Sequence, residues 1–184
     1  MKEKNNLLVS VILMLSLNSL SQDSYKTIRL HKNEIILCAP DTWRIKEDAM
    51  KFAIYEIKYN VEVKSPKDQS GIFLYVYDSL YGPKMQINDS IVDETRQGML
   101  SDSIRRIIVE ESGIKLISGI QIGYLKYTFA TKYKHGRAYG LRLFFCNMEK
   151  IYFKLDIVGL KRPINEFKKV TEKIFSSLKI DSPN

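Results

Sequence analysis

Between Gly113 and Leu160 the chain repeats one pattern, in which runs of alternating apolar and polar residues are broken by very short turns. "QIGYLKYTFATKY", "AYGLRLFFCN" and "KIYFKLDIVGL" carry the side-chain period of two that a half-buried strand requires. The gaps between them, at "KHGR" and near "NMEK", are too short for a parallel crossover, which needs about a dozen residues or more. The three runs must pair as an antiparallel meander. "IKLIS" supplies a fourth strand signal just before them. Any fold open to this chain has to be built around that sheet.

The first half adds strands to it. "NEIILCAP" reads as a strand from Glu34 to Ala39, ended by Pro40, and "DTWRI" then brings the single tryptophan, Trp43. A lone aromatic just after a strand is expected to be a core anchor. "KFAIYEIKYNVEV" alternates as one or two strands would, and "SPKDQSG" is a turn punctuated by Pro66 and Gly71. "IFLYVYDS" is almost wholly apolar, which predicts a strand covered on both faces.

Two segments have helical periodicity instead. In "INDSIVDETRQGMLSDSIRRIIVEES", Ile87, Ile91, Met99, Ile104 and Ile108 recur at helical spacing. Asn88 and Asp89 are N-cap candidates, and Asp93 and Glu94 suit the positive end of the helix dipole. Gly98 within the pattern costs about 1 kcal/mol relative to Ala and predicts close packing on the sheet. "RPINEFKKVTEKIFSSLKI" places Pro163 in a first helical turn and Ile164, Phe167, Thr171, Ile174 and Leu178 on one stripe. Both helices must bury their stripes on the sheet. The expected class is α+β: an antiparallel β-sheet packed by two main helices, in an α/β/α or a two-layer sandwich.

The first residues bear on address. Lys2 and Lys4 precede an apolar run, Leu7 to Leu17, that polar Asn18 and Ser19 stop too early for a span of roughly 20 residues. It has the length of a secretory h-region, and Ser19-Leu20-Ser21 offers a small-x-small cleavage site. Residues 1–21 are therefore expected to be a signal peptide, and 22–184 a single domain that is secreted or periplasmic. The formal net charge is +8. Lys2, Lys4 and Glu3 carry +1 of it, which leaves +7 on the mature chain. Such a charge steers anionic partners. Outside the cytoplasm these are an anionic surface or an acidic protein rather than nucleic acid, and the membrane is met only through the leading segment during export.

Chemistry-bearing motifs are sparse. Cys38 and Cys146 could pair in an oxidising compartment, or be two buried thiols. His31 and His135 are far apart and lack ligand-like neighbours, so no metal site is expected. No nucleophile elbow, glycine-rich phosphate loop or dinucleotide fingerprint occurs, and no catalytic residue or cofactor is assigned. Asp89 and Asp93 share a helix face but read as capping and dipole compensation. One cluster stands out, in "KYTFATKYKHGRAYG". Lys132, Lys134, His135 and Arg137, with Lys126 upstream, gather at the tip of a predicted hairpin among Tyr127, Tyr133 and Tyr139. Basic groups beside aromatic faces can hold anions. Lysines on a strand edge also deter sheet-to-sheet pairing.

The order of elements carries a resemblance. An early strand ends in "CAPDTW", with Pro40 and Trp43 in a Pro-x-x-Trp arrangement. A mid-chain helix precedes "SGIQIGYLKYTF", and a strand, a helix and "SSLKI" close the chain. In these features most of the mature chain resembles the PsbP-like fold family. That family includes extrinsic photosystem proteins, a Ran-binding nuclear import factor and exported bacterial proteins. The resemblance implies an α/β sandwich and a role in binding or scaffolding, with no shared catalytic residues. The expected function is that of an exported, non-enzymatic binding or accessory protein. An immunity or inhibitor protein acting on a toxin or hydrolase stays open, as does an enzyme whose site assembles from scattered residues.

Overall fold

The structure is a computed structural model that describes residues 24–31, 34–47, 57–77, 86–147 and 151–181. The expected signal peptide and its cleavage point after Ser21 lie outside the described residues.

The described residues form ten strands and two helices. Seven strands make one antiparallel sheet: β3 (Arg44–Glu47), β4 (Ile57–Lys64), β5 (Gly71–Tyr77), β6 (Ile108–Ile117), β7 (Ile120–Ala130), β8 (Arg137–Cys146) and β9 (Tyr152–Gly159). Their spatial order is β3-β4-β5-β9-β8-β7-β6. After β5 the chain crosses to the far edge through helix α1 (Asp89–Leu100) and returns by the meander, so β9 inserts between β8 and β5. Helix α2 (Ile164–Ser177) follows β9. A small sheet of β1 (Tyr25–Leu30), β2 (Ile35–Pro40) and β10 (Lys179–Ile180) stands beside it, with β2 in the middle.

Strand alternation divides the large sheet into two faces. Ile72 and Leu74 of β5, Leu141 and Leu143 of β8, and Leu155 and Ile157 of β9 point one way and are fully buried. They form one core with the small sheet and with Phe167, Val170 and Ile174 of α2. Of the stripe predicted for α2, Phe167, Thr171 and Ile174 are buried together with Val170 and Phe175, while Ile164 is half-buried and Leu178 is buried just past the helix end. Trp43 joins this core, fully buried, and Lys26 Nζ donates to its carbonyl at 2.8 Å. On the opposite face a smaller cluster joins Val92 and Met99 of α1 to Leu125, Tyr127 and Phe144.

The first helix is much shorter than its periodicity predicts. Asn88 caps it, its side chain accepting from the Ile91 N–H at 3.0 Å. The helix ends at Leu100, because Ser101, Asp102 and Ser103 offer competing backbone partners. The Asp102 carboxylate accepts from the N–H groups of Ile104 and Arg105 and turns the chain. Ile104 is 90% exposed, and Ile108 opens β6 opposite Thr128. Gly98 does not mark close packing, since a Cβ there would meet nothing within 4 Å. β5 also differs from expectation. Its Ile72, Leu74 and Val76 are buried, but Phe73, Tyr75 and Tyr77 on the other face are only half-buried.

Ser118 and Gly119 turn β6 into β7 with φ of +50° and +78°. Two positive φ values fit the two-residue turn that matches strand twist, and Gly119 adopts its share without strain. Among the described residues no helix is long and apolar enough to cross a membrane.

Candidate functional site

Among the described residues, helix α1 makes its main contacts with β6 and β7. A cleft of about 350 Å³ lies on the same sheet face. Its walls are Phe73 and Tyr75 from β5, Tyr127 and Phe129 from β7, and Val158 with Leu160 at the end of β9. Each strand residue in this set belongs to the α1 face by register: Phe73 faces Asp156, Tyr127 faces Gly140, and Gly140 faces Val158. Gly140 is needed here, because a Cβ on it would lie 2.5 Å from the Tyr127 ring. The ring lies over the glycine and forms part of the cleft wall, 5.9 Å from Phe129.

The floor is charged. Arg142 and Asp156 face each other across β8 and β9. Nε donates to Oδ1 at 2.6 Å and Nη2 to Oδ2 at 3.0 Å, a bidentate fork. Burial pulls the Arg142 pKa down, but the Asp156 charge outweighs it, so the guanidinium stays ionised at every working pH. Arg105 reaches the cleft from the turn after α1, and its Nε lies 3.6 Å from Asp102. Lys154, one pair along from Asp156, lies outside the cleft lining but against its wall, with its ammonium 4.5 Å from the Tyr75 ring centre and 5.5 Å from that of Tyr77.

These surroundings hold the tyrosines neutral. Burial, aided by the charge of Asp156, pushes Tyr75 up to about 12 and raises Tyr127 further still. Tyr152, beside Tyr77 at 5.2 Å, is raised mainly by burial.

The hairpin residues singled out by sequence lie elsewhere. Lys132, Lys134 and His135 are exposed in the loop between β7 and β8, not on a strand, so strand alternation does not align them. Arg137 does not join them. It is half-buried and donates to Thr128 Oγ1 at 3.0 Å and to the Arg106 carbonyl at 3.2 Å. Lys126 is bound between Glu111 at 2.9 Å and Glu172 at 2.7 Å, tying β6, β7 and α2 together. Tyr127 and Tyr139 are buried on opposite faces of the sheet. Only Tyr133 stays in the loop, bonded to Gln69 at 2.7 Å and covered by Lys161 at 5.0 Å.

The two cysteines are half-buried thiols that form no disulfide. Cys38 alternates with Leu37 and Ala39, which point into the core, so it points out of the small sheet. Cys146 alternates with core Phe145 and faces the α1 side of the large sheet. The core stands between them. Neither histidine lines the cleft, and His31 packs edge-on to Phe153 at 5.3 Å. Among the described residues no group of His, Cys, Asp and Glu is placed to hold a metal ion.

Sequence reasoning missed the cleft because its residues come from four strands. The one available signal was the excess of rings in "IFLYVY" at the positions alternating with Ile72, Leu74 and Val76.

No protein-family model and no curated protein matches this sequence. Solved structures do match its shape. A protein of unknown function from Pseudomonas aeruginosa, PA94, aligns over 87% of this chain and 99% of its own, at 12% identity and a TM-score of 0.48. The solution structure of the cyanobacterial PsbP protein CyanoP, from Synechocystis sp. PCC 6803, aligns over 89% of this chain and 96% of its own, with 11% identity and a TM-score of 0.62. At that identity the likeness concerns architecture alone, and the chain has the PsbP-like fold.

Proposed function

We propose that this chain is an exported, non-enzymatic accessory protein that works by binding, built on an α/β/α sandwich, with the cleft on the α1 face as its binding site. The observation that carries the reading is the content of the cleft: aromatic walls over a locked Arg142–Asp156 pair. Pockets of this size with apolar walls and a few fixed polar groups are typical small-ligand sites. Its titratable groups suit holding better than proton transfer. Asp156 is committed to Arg142, and Tyr75 and Tyr127 are kept protonated. The leading segment supports export, and the charge of +7 on the mature chain supports electrostatic steering of anionic partners, with exposed Lys132 and Lys134 contributing.

Ligand-observed NMR with a set of single-ring fragments tests the site. Aromatic fragments should give saturation-transfer signals that vanish in Leu160→Trp, a variant that fills the cleft from its rim. Signals that persist in that variant, with its melting temperature unchanged, would assign binding to another surface. Intact mass of the protein from its native host tests export. A species beginning at Gln22 is expected, and one that retains Met1 to Ser21 would refute cleavage.

A further inference from the structure

The charges around the cleft do not balance, and the imbalance points to a ligand class. Asp156 is set against Arg142, and Asp102 against Arg105. Lys154 has no carboxylate within ion-pair distance among the described residues; its ammonium rests on Tyr75 and Tyr77. Among the described residues one positive charge is therefore left over beside rings that offer flat apolar faces. Asp156 takes only part of the Arg142 fork, whose remaining N–H groups are available to a second acceptor. Arg105, at the rim, is largely exposed and can swing toward a bound anion.

We infer that the cleft takes a flat aromatic ring bearing a single carboxylate, an inference that rests on the binding function proposed above. The ring stacks among Tyr75, Tyr127 and Phe129, where offset and edge-on ring contacts are favourable. The carboxylate lies between Lys154 and Arg105 and meets the unused edge of Arg142. A dianion would overshoot the single uncompensated charge, and a neutral ring would leave Lys154 without its counter-ion. The aromatic side chain of a protein partner would satisfy the walls but not this charge, and is tested separately below.

The test compares phenylacetate, phenylacetamide and cyclohexylacetate as probes, using amide chemical-shift titrations of the wild type, Lys154→Gln and Arg105→Ala. Phenylacetate should bind at least about tenfold more tightly than the other two, with shifts centred on Tyr75, Tyr127 and Asp156. Lys154→Gln should weaken phenylacetate about tenfold, and Arg105→Ala about threefold, while phenylacetamide binding does not change. Equal binding of acid and amide at the same residues would overturn the anion assignment and leave the binding site standing. Shifts away from the cleft, or no binding by any probe, would overturn both. A blocked N-acetyl phenylalanine amide that binds as tightly as phenylacetate would show that the cleft takes a neutral protein side chain, and would overturn the inference.

Discussion

The two faces of the large sheet come from the same strands, yet they are built differently. Facing α2, alternate residues are aliphatic or Phe: Leu74, Leu143, Phe145, Leu155 and Ile157, all fully buried. Facing α1, their neighbours Phe73, Tyr75, Arg142, Lys154 and Asp156 are only half-buried, and Phe144 alone among the neighbours is fully buried under α1. The first face is sealed by a helix and a second sheet, so its centre carries groups that need no partner, and its polar members, Tyr139 and Lys126, are partnered by Thr171 and Glu172 of α2. The second is covered by α1 over β6 and β7 and, among the described residues, holds a cleft at β5 and β9, so it can keep hydroxyls and charges that meet water at one end. The contrast separates the half of the molecule that stabilises from the half proposed to bind.

Large-to-small substitutions should expose that contrast most strongly. Phe167→Ala, which empties a site packed against Gly159, should cost about 3–5 kcal/mol in urea unfolding, and Trp43→Ala a similar amount. Phe73→Ala on the α1 face should cost under about 2 kcal/mol. Equal losses on the two faces would erase the distinction.

The charged floor comes next. Asp156→Ala leaves Arg142 with an uncompensated charge in a largely buried place, and should cost about 3 kcal/mol. The double variant Arg142→Met with Asp156→Leu should recover most of that. A double variant whose loss equals the sum of the losses of Arg142→Met and Asp156→Leu alone would mean that the two groups act independently.

Alkaline titration sharpens the comparison, because Tyr75 and Tyr139 lie on opposite faces and both rise from 10.0 to about 12, chiefly through burial. A pKa raised on folding adds stability that is complete below the unfolded value and is lost as pH rises through the folded one. Stability should therefore fall between pH 10 and about pH 12. Tyr75→Phe and Tyr139→Phe should each flatten the decline, which denaturation midpoints across that window would show. A decline of unchanged steepness in both variants would assign the alkaline loss to other groups.

The smallest expected effect concerns Cys146. Burial pushes its thiol up to about 11, so at pH 8 little thiolate forms. Iodoacetamide should alkylate it many times more slowly in the folded protein than in urea, as followed by intact mass. Equal rates would show that this end of the α1 face opens readily.

Much of the architecture was legible from local pattern. The meander from Ile120 to Gly159 follows from alternation and short turns. The α2 stripe of Phe167, Thr171 and Ile174 and the burial of Trp43 also match the sequence reading. The end of α1 did not follow from periodicity. Ile104 and Ile108 continue the helical spacing, but the side chains of Ser101 and Asp102 stop the helix and Ile108 pairs with Thr128 instead. The basic hairpin was legible as composition but not as geometry, since Arg137 and Lys126 are drawn away by partners distant in sequence or on other elements.

The sequence by itself determined the strands of the meander, which core residues of α2 are buried and where Asn88 starts α1, because each depends on residues within a few positions of one another, whereas β1 and the first half of β6 were not read as strands. Only the tertiary structure decided that β9 lies between β5 and β8. That insertion sets Lys154 against Tyr75 and Asp156 against Phe73, and so adds the β5 wall to the Arg142–Asp156 and Gly140–Val158 pairs of the meander. The pairing joins segments about eighty residues apart, and periodicity reports only which face a residue takes, not which strand will stand next to it.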